Sequence, residues 1–233
     1  MSTVDDASQS ASRWQIQLIC YGLTAAGVAI GIADLVRPDP LTAAALLLVA
    51  PLALLIAASA PEAFEVRLRV AKILNPLLGV PTAFVLIMAL VRQLVDPTWA
   101  IVSGAVGAAT FLALGFLARG RPGLQSPIAM MFLLAVSGGL YGYGAIVLAD
   151  VQFDTSPTTV VQVPVVDKFL TYDRTSTGYH LRLSPWGART TVNEVEVPHA
   201  VYDALRPGAL ACIVQHPGAL RLAWFTARAC TPN

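Results

Sequence analysis

The chain has 233 residues, a net charge of +1 and a markedly apolar composition. Hydrophobic residues make up 56% of it and charged residues 12%, and its mean hydropathy is +0.66. Because an ordinary soluble domain carries about 25% charged residues, this composition excludes a disordered tail, a nucleic-acid binder with a basic face and a typical cytosolic enzyme. It indicates an integral membrane protein, so we expect the lipid bilayer, and no nucleic acid, among its partners.

The first part of the chain, after a tail over residues 1–13, contains five stretches free of Asp, Glu, Lys and Arg. Each is long enough for a helix that crosses a hydrocarbon core of about 30 Å, and none alternates as the strands of a membrane barrel do. The stretches are Trp14–Ala33, Leu41–Pro61, Ile73–Val91, Pro97–Ala118 and Pro122–Ala149. The sequence therefore predicts a membrane α-helical bundle of five spans over residues 14–149.

The composition changes after Asp150. Residues 151–233 hold 13 charged residues and all three histidines, and their β-branched or alternating runs are typical of strands. We predict a linker over residues 150–158 and a β domain over residues 159–233. The expected strands are Thr159–Leu170, Gly178–Leu183, Thr190–Val197, Ala209–Gln215 and Ala219–Arg228, with helical turns in Pro198–Leu205. This order predicts a small all-β barrel-like domain of the SH3-like or OB-like kind.

Basic residues near the ends of the predicted spans indicate the orientation of the chain. Six lie on the side of the N-terminus and two on the opposite side: Arg13, Arg67, Arg69, Lys72, Arg119 and Arg121 against Arg37 and Arg92. We therefore expect a bacterial inner-membrane protein with a cytoplasmic N-terminus. After an odd number of spans, the β domain is expected to be extracytoplasmic.

Two of the three cysteines, Cys212 and Cys230, fall in the predicted β domain. An oxidising compartment favours a disulfide between them. A two-residue turn at Pro217 and Gly218 places Cys212 opposite Ala223, which leaves Cys230 about 23 Å farther along the strand. A bridge, which needs Cα atoms within about 7 Å, then requires the last residues to bend back or the last two strands to pair in another way. Two reduced, buried thiols are the alternative.

The same cysteines, with His216 and His199, are the ligand types that zinc binds. The spacing does not support a metal site, because Cys212 and His216 share a face of a strand but stand roughly 13 Å apart. We assign no metal site and expect no cofactor. The histidines are interpreted as turn, surface or packing residues.

The sequence also gives no basis for catalytic or transport chemistry. Ser184, with His180 and Asp173, lacks the motif that supports a nucleophile, so no catalytic residue is assigned and the protein is predicted not to be an enzyme. The predicted spans contain no Asp, Glu, Lys, Arg or His, whereas carriers place such groups near the middle of the membrane.

Small residues recur four apart in three of the predicted spans. The pairs are Gly27 with Gly31, Ser103 with Gly107, and Gly138 with Gly142. Such spacings let helix backbones approach closely. We interpret them as helix-packing positions within the bundle, and a face for a second copy or a partner helix is the alternative.

Several motifs of the C-terminal region support a resemblance to a family. They are Tyr179-His180-Leu181, Ser184-Pro185-Trp186-Gly187, Tyr202 with Leu205 and Gly208, Cys212, His216-Pro217-Gly218-Ala219-Leu220, Trp224 and Cys230. Over about 65 residues this pattern resembles small, uncharacterised bacterial multi-pass membrane proteins. The resemblance implies an extracytoplasmic β domain and brings no activity. The architecture is also loosely similar to NfeD-like proteins, which join several spans to a small barrel.

Together these observations predict an integral membrane protein that acts as an envelope scaffold or accessory subunit. Its external β domain would hold a protein partner or a second copy of the chain. A component of a membrane transporter or channel is the alternative, followed by a membrane enzyme.

Overall fold

The chain forms two compact units in the computed structural model, which describes residues 18–19, 22–23, 25–33, 36, 39–59, 82–118, 127–174, 176–187 and 189–230. The helical unit comprises residues 1–91 and 98–153, and the β unit comprises residues 92–97 and 154–233. The tail over residues 1–13 lies outside the described residues. So do all the basic residues that predict the orientation, except Arg92.

The helical unit contains α1 (25–33), α2 (Pro40–Ser59), α3 (82–90), α4 (Thr98–Ala118) and α5 (Pro127–Gln152). Asp39 caps α2, because its carboxylate accepts a hydrogen bond from the Leu41 N–H at 3.0 Å and Pro40 suits the first helical position. The described helices share a buried core that consists of Ala43, Leu46, Val85, Met88, Phe111, Leu134, Tyr141 and Leu148.

The prediction of a five-span bundle is wrong. Among the described residues only one helical stretch, Met131–Gln152, is long and apolar enough to cross a membrane. The apolar stretches Pro40–Val49 and Thr98–Leu114, also within the described residues, are shorter. A lack of charge is common to membrane spans and to helices buried inside a protein, so it does not by itself identify a span.

The β unit is an antiparallel sheet of six strands with one short helix. Its elements are β1 (Gln93–Leu94), β2 (Thr159–Tyr172), β3 (Thr177–Leu183), β4 (Asn193–Glu196), α6 (His199–Ala204), β5 (Leu210–His216) and β6 (Trp224–Ala229). The strand order is β1-β6-β5-β2-β3-β4. Each of the five predicted strand segments overlaps an observed strand, and β1 is additional.

The long strand β2 connects the two halves of the sheet. Residues 159–164 pair with β5, and residues 165–172 pair with β3 after an irregularity next to Val165. Pro164 lies where the pairing changes, a position at which a missing N–H is tolerated. The strand therefore belongs to both halves, and the sheet curls around one core.

The sheet is a curled half-barrel, so the predicted five-stranded barrel is corrected in strand number and in closure. The core inside the curl consists of Val163, Val165, Leu181, Leu183, Trp186, Val195, Val197, Leu205, Ala211, Ile213 and Phe225. Alternation along β2 and β3 supplies the inward residues, since successive side chains point to opposite faces of a strand. The other face is left for charged and aromatic side chains.

Candidate functional site

Four of the six predicted helix-packing residues meet where α4 and α5 cross. A Cβ atom added at Gly107 would overlap the carbonyl oxygen of Gly138, and one added at Gly142 would approach the carbonyl oxygen of Ser103 at 2.5 Å. Residues 107 and 138, and 103 and 142, therefore pair in antiparallel order. Only glycine lets the two backbones come this close.

The other predicted packing pair lies in α1. A Cβ atom added at Gly31 would approach the ring of Phe84 in α3 at 2.5 Å, so this glycine accommodates an aromatic ring. Gly27 is buried. All three small-residue pairs are thus found at buried or closely packed positions of the described helices, within one chain.

The two cysteines of the β unit are brought together as a disulfide. Cys212 and Cys230 have Cα atoms 5.0 Å apart and sulfur atoms at bonding distance. The predicted two-residue hairpin turn is wrong, because β5 and β6 are joined by residues 217–223 and Cys212 pairs with Arg228. This register puts Cys230 on the same face as Cys212, one diagonal step away, which allows the bridge.

The histidines considered as metal ligands lie apart. His199 forms a contact of 3.0 Å with Asp203, one helical turn away, and His216 stacks on Trp224 with ring centroids 3.7 Å apart. Within the described part of the chain, no group of three or more His, Cys, Asp or Glu side chains could hold a metal ion. His180 hydrogen-bonds Thr171 rather than Ser184.

Around Trp224, the start of the segment 154–233 is bound to the loop between β5 and β6. Asp154 accepts hydrogen bonds from the Ser156 N–H at 2.9 Å and from the Gly218 N–H at 3.0 Å. Desolvation opposes ionisation of Asp154, but these hydrogen bonds outweigh it and lower the pKa of the carboxyl group. Arg92 belongs to the segment 92–97 of the β unit. The central carbon of its guanidinium lies 5.7 Å from the centre of the Trp224 ring.

The outer face of β2, β3 and β4 carries a row of interacting polar and aromatic side chains. We call this row the outer ladder and define it by Asp167, Phe169, Thr171, His180, Arg182 and Glu194. The register brings its members side by side, because residue 169 pairs with 180, 167 with 182, and 182 with 194. Side chains paired in this way lie on the same face of the sheet.

Arg182 is the centre of the outer ladder. Its guanidinium lies 3.0 Å from the carboxylate of Glu194 and 3.9 Å from that of Asp167, and 4.9 Å from the centre of the Phe169 ring. The His180 ring stacks on the Phe169 ring, with the two ring centroids 5.1 Å apart. The Arg182, Asp167 and Glu194 side chains are 45%, 52% and 56% exposed.

The outer ladder can bind another protein, but as an open surface it does not enclose a reaction site. The ladder combines an aromatic ring, a guanidinium and carboxylates on an open surface, which are groups common in protein–protein contacts. Sequence reasoning missed it. The available signal was the alternation in His180-Leu181-Arg182 and Glu194-Val195-Glu196, which predicts an outward polar face but not which residues lie opposite one another.

No family model, curated protein or solved structure matches the chain. The resemblance based on the C-terminal motifs therefore stays a prediction.

Proposed function

We propose that this chain is an integral membrane protein that acts as an envelope scaffold or accessory subunit. In this proposal the outer ladder of the β unit binds a protein partner or a second copy of the chain. The observation that carries the proposal is the pre-ordered exposed row on β2, β3 and β4. Because cross-strand contacts already fix these side chains, a partner would pay little entropy to order them.

The helical unit supports attachment to a membrane. Met131–Gln152 is long and apolar enough to span a bilayer. Large apolar side chains are also exposed on the described helices, among them Leu41, Trp99, Ile101, Val106 and Phe132. Exposed apolar surface of this extent is typical of contact with lipid or with another protein.

The disulfide supports an extracytoplasmic location for the β unit, in a bacterial plasma membrane. Disulfides persist in oxidising compartments and are rare where thiols are kept reduced. In the chain-entropy description a loop with a sequence separation of 18 residues stabilises the folded unit by about 3 kcal/mol. That contribution would be lost in a reducing compartment.

The proposal is tested by photo-cross-linking in native membranes. A photoreactive phenylalanine analogue replaces Thr171 on the outer ladder or, as the matched control, the exposed Thr226 on β6. We expect a discrete adduct from position 171, of partner mass or of twice the chain mass, that co-purifies in stoichiometric amount. Adducts of equal yield from both positions, or none from position 171, would contradict the proposal.

A further inference from the structure

The two ends of the curled sheet are joined by side chains instead of main-chain hydrogen bonds. The Gln93 side-chain amide of β1 donates to the Glu196 carbonyl oxygen of β4 at 2.5 Å. Arg189 donates to the Leu94 carbonyl oxygen at 2.8 Å and to the Asn193 side chain at 3.3 Å. We call the line between β1 and β4 the seam. Elsewhere in the sheet neighbouring strands pair through antiparallel main-chain ladders.

The register shows which main-chain groups point into the seam. The Val197 N–H donates to the Tyr179 carbonyl oxygen, so residues 195 and 197 face β3 with their N–H and C=O groups. Since these groups alternate sides along an antiparallel strand, those of Glu194 and Glu196 point away from β3. By the same reasoning from the Val95 N–H bond to Ala223, the groups of Leu94 point away from β6.

Side chains form hydrogen bonds with only some of the main-chain groups that point into the seam. Gln93 binds the Glu196 carbonyl and Arg189 binds the Leu94 carbonyl. Among the hydrogen bonds seen between described residues, none involves the N–H or C=O of Glu194 or the N–H of Glu196. An edge with unpaired groups of this kind is a template for an added strand.

The charge of the edge indicates what kind of strand would fit. Glu194 and Glu196 are both exposed and lie on the outer face, next to the seam. A strand added along β4 would place its own alternate side chains opposite these two carboxylates. Arg182 pairs with Glu194 from the β3 side, but the carboxylates of Asp167, Glu194 and Glu196 outnumber it on this face. Basic side chains at alternating positions therefore complement the edge, whereas acidic ones would be repelled.

We propose that the seam binds an extended basic segment of a partner protein as an additional strand along β4. The segment would hydrogen-bond the outward groups of Glu194 and Glu196 and would displace the Gln93 amide from the Glu196 carbonyl. This inference rests on the proposed function and names the chemistry of the partner. The bound strand would extend the outer ladder by one row.

The test uses the full chain in detergent micelles and a fluorescent nine-residue peptide of alternating lysine and valine, followed by anisotropy. Glu194→Pro removes the outward N–H without removing a bond to β3, and Glu194→Ala is its matched control because both variants lose the carboxylate. We expect at least tenfold weaker binding for Glu194→Pro than for Glu194→Ala. A peptide of alternating glutamate and valine should bind at least tenfold more weakly than the basic one.

Two further measurements keep the proposal testable if Glu194→Pro fails to fold. Peptides N-methylated at every second residue, in the two possible registers, should differ in affinity for the unmodified chain by at least tenfold, because only one register removes the pairing donors. Gln93→Ala should bind the unmethylated basic peptide more tightly, by about threefold, since the competing amide is gone.

The proposal is overturned if the basic peptide does not bind, if both methylated peptides bind equally, or if the acidic peptide binds as tightly. Equal binding by folded Glu194→Pro and Glu194→Ala, or weaker binding by Gln93→Ala, would also overturn it. These failures are distinguishable from failure of the proposed function. If the proposed function fails, position 171 yields no adduct. If only strand addition fails, position 171 still yields its adduct but the basic peptide does not bind along β4.

Discussion

His216 makes the stability of the β unit depend on pH. It stacks on Trp224, and the charges of Asp154 and Arg92 both act on it. Desolvation lowers the pKa of His216, Arg92 lowers it further, and Asp154 opposes this change. The folded state therefore binds the proton less tightly than the unfolded state, whose pKa is about 6.5. Stability must fall as the pH drops below that value.

We predict that the melting temperature of the β unit decreases between pH 7 and pH 5 and that His216→Phe reduces this decrease. Phenylalanine retains a ring to stack on Trp224 but cannot titrate, so its pH profile should be flatter. The stabilisation from Asp154 stays constant in this range, because the pKa of its carboxyl group is lowered and the stabilisation is lost only as the pH falls below about 4. Thermal unfolding followed by tryptophan fluorescence measures both profiles, and equal slopes would disprove the assignment.

At the scale of elements, the α4 and α5 pair shows that neighbouring glycines can have different roles. A Cβ atom at Gly138 would lie 2.6 Å from the Gly107 carbonyl oxygen and 2.7 Å from the Phe111 Cβ. At Gly139 the nearest atoms are 3.6 and 3.7 Å away, which is ordinary contact. The first position requires glycine and the second has room for a methyl group.

We expect Gly138→Ala to destabilise the helical unit by about 1–3 kcal/mol, because the methyl group forces the two helices apart. Gly139→Ala should be neutral or stabilising by up to about 1 kcal/mol, since alanine has the higher helix propensity. Thermal unfolding in one detergent, followed by circular dichroism at 222 nm, compares the pair. A loss of stability of equal size in both variants would contradict the close contact at Gly138.

At the scale of the whole molecule, the β unit is assembled from two separated segments of the chain. Residues 92–97 supply β1, which pairs with β6 through Gln93 with Phe225 and Leu94 with Trp224. Leu94 is only 9% exposed, and β1 supplies one partner of each hydrogen bond across the seam, Gln93 to Glu196 and Leu94 to Arg189. A fragment that begins at the second segment therefore lacks one edge of its sheet.

We predict that residues 154–233 alone unfold at a lower temperature than the same fragment joined to residues 91–98 through a glycine–serine linker. The difference should correspond to about 2–4 kcal/mol, since two hydrogen bonds across the seam and the pairing with β6 are lost, at about 1 kcal/mol for each hydrogen bond. Amide hydrogen exchange of β6 gives a second measurement. Equal melting and equal protection of Phe225 would show that β1 adds nothing.

Local patterns in the sequence were sufficient for several features. Alternation and β-branched runs placed segments that overlap β2 to β6, because inward and outward positions repeat every two residues along a strand. The small residues of α4 and α5 were found from their spacing, since residues four apart share a helix face. The cysteine pair was identified from its predicted compartment.

Only the tertiary structure decided the features that depend on distant pairing. The two residues of β1 are too few to show any periodicity, and their partners lie more than 100 positions away. The register that joins Cys212 to Cys230 follows from the loop over residues 217–223, and the outer ladder follows from the pairing of β2, β3 and β4. The absence of charge predicted five spans, but a helix buried inside a protein can be as free of charge as a membrane span, and composition does not separate the two.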